Sequence, residues 1–147
     1  MLAPHVSLLL EDGTAQVASG LPRGVRLRGF ARDRFSAAPL LRSRTALDSL
    51  SVALVTVSGR RLVVGWDQKV LTKGWSRRLW KKAGAVEIGA RLVVVEPGTP
   101  KRALRAIIVS TEKVSCVVHS HGQPAPWHVL EVPGRTVVAE GVVCRTT

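Results

Sequence analysis

The sequence has no tyrosine, two phenylalanines, one methionine and two cysteines in 147 residues, and acidic side chains number only 10. Long apolar runs are missing too. The longest, such as Val6 to Leu10 (broken by Ser7) and Leu92 to Val95, reach four or five residues, against the roughly 18 a transmembrane helix requires, so none is expected. The first residues carry no basic n-region, and Glu11-Asp12 follows the short apolar stretch directly. This argues against a secretory signal peptide, and the chain is expected to work where it is made. Cys116 and Cys144 are too few for a disulfide framework and are read as small buried thiols of an intracellular protein. His119, His121 and His128 lie near Cys116 in the sequence, but no CxxC or HxxxH spacing accompanies them. No metal site and no cofactor are expected.

What is present is valine, leucine and 13 glycines, a composition that favours strands joined by turns over helices. The expected fold class is all-β, in one domain over residues 1–147, long enough to bury roughly two-thirds of its unfolded surface. Lysine and arginine number 22, giving a net charge of +12. Such a charge calls for an anionic partner: a protein with an acidic face, nucleic acid, or an anionic surface. A solvated basic surface accounts for the same residues without any partner. Trp75 and Trp80 interleave with Arg77, Arg78, Lys81 and Lys82, a mixture that suits base stacking with phosphate contacts as well as simple packing.

Along the chain, Glu11-Asp12-Gly13-Thr14 predicts a hairpin turn, and Leu50–Val57 with Arg61–Val64 predicts a second hairpin turning at Gly59. Arg26–Phe30 alternates as a half-buried strand. Residues 31–49 read as an irregular crossing segment, Ser76–Ala83 as a short helical turn, and His121–Pro126 as an exposed loop. Further strands are expected at Gly89–Val95, Ala103–Ser110, Val114–His119, Trp127–Val132 and Thr136–Cys144. No internal repeat is read from the sequence.

Three blocks in register carry a resemblance. They are Met1–Gly13, then Gly65-Trp-Asp-Gln-Lys-Val-Leu-Thr-Lys-Gly-Trp75 running into Ala83–Val95, and finally Val129–Thr147 with its Val-Val-Ala-Glu-Gly-Val-Val-Cys144 core. Together they resemble the Hint fold of inteins and hedgehog autoprocessing domains, a compact horseshoe of curved antiparallel strands and hairpins. The resemblance implies a reactive Cys, Ser or Thr at the first position, assisted by a Thr-x-x-His motif, and a closing His-Asn pair. Here those slots hold Met1, Gly65 and Gln68, and Arg145 with Thr146. A thioether has no proton to lose, glycine has no hydroxyl, glutamine does not titrate, and threonine cannot cyclise as asparagine does.

The expectation is therefore a non-catalytic Hint-type structural or protein-interaction module, not an enzyme. The family's frequency in phage genomes implies a small virion component in the host cytoplasm, docking on a capsid or tail protein. A basic nucleic-acid-binding module and an autoprocessing domain supplied without its upstream segment stay open as alternatives. Cys144, beside the lost terminal motif, is either a displaced nucleophile or a buried strand-end thiol. Asp67 and Trp66 lie where an active member has its site, either as a reused pocket or as retained structure.

Overall fold

The computed structural model describes residues 1–31, 34–75, 77–95 and 110–146. Short alternating Val/Leu segments become strands. They are β1 (Ser7–Leu9), β2 (Ala15–Val17), β3 (Arg26–Ala31), β4 (Arg34–Pro39), β5 (Arg42–Thr56), β6 (Arg61–Gly65), β7 (Lys69–Lys73), β8 (Arg78–Lys82), β9 (Arg91–Val94), β10 (Ser110–Glu131), β11 (Thr136–Ala139) and β12 (Val142–Arg145). All strand pairings among the described residues are antiparallel, in the order β2-β1-β11-β12-β7-β9-β10-β5-β6, with β8 added to β7 and β3 paired with β4. The all-β class stands.

The central strands are buried on both faces, and their side chains alternate between two apolar clusters as the pleat requires. Val137, Ala139, Val142, Cys144, Val70, Leu92 and Val94 point into the larger cluster with Leu8, Val64 and Leu130. Their neighbours Val138, Val143, Leu71, Val93 and Val95 point the other way, onto Leu9, Phe30 and Trp80. β3 lies across β11, where the Phe30 amide donates to Thr136 Oγ1 at 2.9 Å. Burial of a valine or leucine side chain contributes about 1.5–3 kcal/mol, so these two layers dominate the stability.

Several expectations give way to tertiary pairing. Residues 34–49 are not irregular: β4 and the first half of β5 occupy them. β5 and β10 form a long ribbon in register from Arg42↔Glu131 to Thr56↔Val114. The ribbon's polar end is exposed on β5 from Arg42 to Thr45, so no period-2 signal marks it; cross-strand hydrogen bonds hold it instead. His121–Pro126 belongs to β10 rather than to a loop, although the register shifts between His121 and Ala125. Ser76–Ala83 contains β8 in place of a helical turn, because β7 offers it a partner from Lys69↔Lys82 to Lys73↔Arg78. Thr136–Cys144 is two strands, not one. Glu140 (φ 48°) and Gly141 (φ 78°) both lie in the left-handed region, the backbone of a tight I′-type hairpin turn that glycine relieves. The strand expected at Ala103–Ser110 lies outside the described residues except for Ser110.

The structure also overturns the absence of a repeat. Ala18-Ser-Gly-Leu-Pro-Arg-Gly-Val-Arg-Leu27 and Ala83-Gly-Ala-Val-Glu-Ile-Gly-Ala-Arg-Leu92 are built alike. Each begins with a buried alanine opening a 3-10 turn and has a glycine at positive φ, Gly24 (84°) and Gly89 (92°). The amides of these glycines donate to Leu40 O (2.9 Å) and Val114 O (2.8 Å), and the amides of Leu40 and Val114 return bonds of 2.8 Å to Val25 O and Ala90 O. Two turns of like construction thus lead into β3 and β9.

Candidate functional site

The first residues thread between β6 and β10. The Leu2 amide donates to His128 O (2.9 Å), the His128 amide to Leu2 O (2.8 Å), and the Gly65 amide to Met1 O (2.9 Å). From the other side β12 lies beside β7 through Cys144↔Val70. Residues 1 and 145 therefore meet over the β6–β7 turn, as the register of the sequence blocks required. A cavity of about 390 Å³ opens there, lined by Met1, Asp67, Gln68, His128, Arg145 and Thr146 among others.

Gln68 occupies the centre and is almost fully buried. Its Oε1 accepts from the Met1 nitrogen at 2.7 Å, and its Nε2 donates to Arg145 O at 2.6 Å and to Lys69 O at 2.9 Å. The amide ties the two ends of the chain, accepting from the Met1 ammonium and donating to backbone carbonyls, and has no titratable proton of its own to move. Burial lowers the pKa of the Met1 amino group, against the opposing charge of Asp67. A Cβ placed on Gly65 would lie 3.4 Å from Met1 Cβ and 3.6 Å from Met1 Cε, so the methionine fills space beside residue 65. Thr72 of the middle block donates to Leu79 O (2.9 Å), holding the β7–β8 pair.

Cys144 is fully buried, its Sγ 3.6 Å from Val142 O. Burial pushes its thiol up to about 12, which removes the thiolate that a nucleophile needs. The buried-thiol reading holds for Cys144 and fails for Cys116, which is exposed on β10 and free. The histidine cluster dissolves along that strand: His119 pairs opposite Val52, His121 opposite Leu50, and His128 opposite Thr45. Among the described residues no group of three His, Cys, Asp or Glu side chains gathers at metal-binding range, and no helix is long and apolar enough to cross a membrane.

His128 is the residue that sequence reasoning misplaced. It is the imidazole at the converged ends, and its buried Nδ1 has no hydrogen-bond partner among the described residues, like Thr146 Oγ1. Its signal was position rather than type: it directly precedes the terminal block that begins at Val129.

The predicted basic and aromatic residues divide. Register and alternation place Arg78, Trp80 and Lys82 of β8 on one face with Lys73, Leu71 and Lys69 of β7. Trp80 is half-buried against the Leu71 cluster, with the Arg145 guanidinium 6.0 Å above its ring. Arg78 stacks over Phe30 and Lys82 over Trp66, at 5.2 and 5.8 Å. Trp66 packs on Gly84, where an added Cβ would strike its indole. Lys81 falls on the opposite face beside Val70, while Arg77 and the fully exposed Trp75 stand at the hairpin tip.

No protein-family model matches the chain, and no curated protein matches it by sequence. Solved structures do. The chain is similar to the DnaB intein from Synechocystis sp. PCC 6803 (14% identity, TM-score 0.79, covering 99% of this chain and 97% of that one). It is also similar to the TvoVMA intein (15% identity, TM-score 0.81, covering 97% and 95%) and to the gp41-1 intein (12% identity, TM-score 0.71, covering 99% and 97%). At that identity the likeness speaks for architecture, and it runs over nearly the whole of both chains. The chain has the Hint fold of inteins.

Proposed function

We propose that this Hint-fold domain does not cut or splice its own chain and works as a structural or interaction module for an anionic partner. The observation that carries the reading is the chemistry of the converged ends. An acyl shift needs a nucleophilic oxygen or sulfur beside the scissile carbonyl and a group to move its proton. Here Met1 presents a thioether, Gln68 is committed to hydrogen bonds with Met1 N and Arg145 O, and residue 65 has no side chain. The thiol nearest the end of the chain, Cys144, is sealed in the core. Gln68 serves such a module as a clasp closing the β body.

The test is a fusion with a reporter protein upstream of Met1 and another downstream of Thr147. The full-length product is expected to persist over days, with or without added thiol. Cleavage at either junction that disappears on mutating Gln68, His128 or Cys144 would overturn the reading in favour of autoprocessing, the activity that the inteins' own name denotes.

A further inference from the structure

The β7–β8 hairpin carries an unusual charge arrangement. Between Lys69 and Lys82 stand six basic residues and no acidic one. The register sets Lys69 directly opposite Lys82, and Lys73 directly opposite Arg78, on one face. Like charges facing each other across a strand pair oppose folding, and Arg145, over Trp80, adds a further cation between the two rows. Among the described residues Lys69, Lys73 and Lys82 have no carboxylate partner. Aromatic rings flank this array: Trp66 is 44% exposed at its base, and Trp75 is completely exposed at its tip. A tryptophan that packs against nothing gives up all the burial energy its ring offers.

We propose that this face binds single-stranded nucleic acid. It names the partner of the non-cleaving module described above. The two cationic rows are four residues apart along the strands, roughly 13 Å, so a flexible polyanion can lie across both. A compact anion reaches only one. Phosphates relieve the Lys69/Lys82 repulsion and neutralise Lys73, and the Trp75 ring supplies the flat apolar surface on which an unpaired base stacks irrespective of its identity. An acidic protein face would need a separate apolar pocket to receive the Trp75 indole, whereas a single-stranded nucleic acid offers phosphate and a flat ring in every repeating unit, which is why the nucleic acid is favoured. No sequence specificity follows, since nothing on this face reads base edges.

The experiment is tryptophan fluorescence titration of the whole chain with a short oligothymidine and a short oligouridine across a salt series. Binding at low salt is expected, with an affinity that falls linearly with salt on logarithmic axes. Trp75→Ala should weaken binding roughly five- to hundredfold with an unchanged thermal midpoint, because the side chain touches nothing. Lys69→Gln with Lys82→Gln should reduce the salt slope by about 1.4, roughly 0.7 for each lost phosphate contact. The proposal is overturned by absence of binding at low salt, by variants that bind like the parent, or by an oligoglutamate peptide that displaces the oligonucleotide at equal charge. The last result would assign the face to an acidic protein, such as a capsid or tail component. Cleavage of the reporter fusion would sink the non-cleaving reading while leaving this titration interpretable.

Discussion

Replacing Glu112 by alanine is expected to destabilise the fold by about 3 kcal/mol, from interactions of one carboxylate at the root of the ribbon. Its Oε1 accepts from Thr56 Oγ1 and Ser58 Oγ, both at 2.6 Å, and its Oε2 from Arg60 Nε at 2.9 Å. Hydrogen bonds to a charged group contribute about 1.5–3 kcal/mol each, yet the three do not count equally. Ser58 is exposed and water replaces its partner. Thr56 is 2% exposed and cannot be rehydrated, and the Arg60 side chain is only 17% exposed. Two partners therefore set the magnitude. Arg60 also lies under the β11–β12 turn, where a Cβ on Gly141 would meet its Nη1, so the loss reaches the terminal hairpin. Glu112→Gln keeps an oxygen for Thr56 but turns an amide toward Arg60, and about 1.5 kcal/mol is expected. Urea denaturation at neutral pH measures both. Acid provides a second reading. Burial opposes ionisation of Glu112, but the bonds from Ser58, Thr56 and Arg60 outweigh it and hold the carboxyl below its usual value. A folded pKa below the unfolded one means that the stabilisation is complete above about 4.3, the unfolded value, and is lost as pH falls through the folded value. Stability of the parent should thus drop more steeply in acid than that of Glu112→Gln; Asp12, held low by Thr14, remains in both and cancels. A Glu112→Ala chain within about 0.5 kcal/mol of the parent, the range of an ordinary surface substitution, would refute the reasoning.

The sequence disclosed the parts of this fold whose signals are local. Asp12-Gly13 did turn a hairpin between β1 and β2, and Ser58-Gly59-Arg60 did join β5 to β6, because turn chemistry is written in two or three residues. The ribbon was hidden for the opposite reason. Arg42–Thr45 is exposed on both faces and pairs with residues 128–131. Nothing nearby in sequence specifies a partner some eighty positions away. β8 misled because Arg78-Leu79-Trp80-Lys81-Lys82 has basic side chains on either face, which resembles an amphipathic turn until Leu71 is seen opposite Trp80. The ten-residue repeat escaped notice because its likeness rests on Ala18/Ala83, Gly24/Gly89 and Leu27/Leu92, small or common residues whose meaning is a hydrogen-bond pattern. At the site, block alignment was enough to expect Met1, Gln68 and Arg145 near one another, as they are found, whereas His128 required the threading of Leu2 against β10 to be visible.

Thiol chemistry should separate the cysteines: a disulfide reagent is expected to modify Cys116 quickly and Cys144 only after denaturation, and two fast thiols in the native chain would contradict the sealed position of Cys144. Gln68→Leu leaves Met1 N and Arg145 O without their partner, so about 2 kcal/mol should be lost in urea denaturation; a neutral effect would show that the clasp does not hold the ends. The proposed inactivity can be tested by restoring the missing groups in steps. A Cβ at residue 65 would lie in ordinary contact with Met1, 3.4 Å from its Cβ and 3.6 Å from its Cε; Met1→Cys keeps the first contact and removes the second, making room for the rest of a threonine. With an upstream reporter, Met1→Cys alone supplies a thiol whose attack on the preceding carbonyl breaks the amide, forms a thioester and passes a proton to the residue-1 nitrogen. Without a hydroxyl at 65 and an imidazole at 68 that proton has no assisted route, and the junction should stay uncut in dithiothreitol. Adding Gly65→Thr and Gln68→His restores both groups that the resemblance calls for, and thiol-dependent release of the reporter should rise roughly a hundredfold or more, the scale of general acid–base assistance. If Met1→Cys alone releases the reporter at that rate, the losses at 65 and 68 are not what silences the chain. If the folded triple variant stays intact, the scaffold has diverged beyond its side chains.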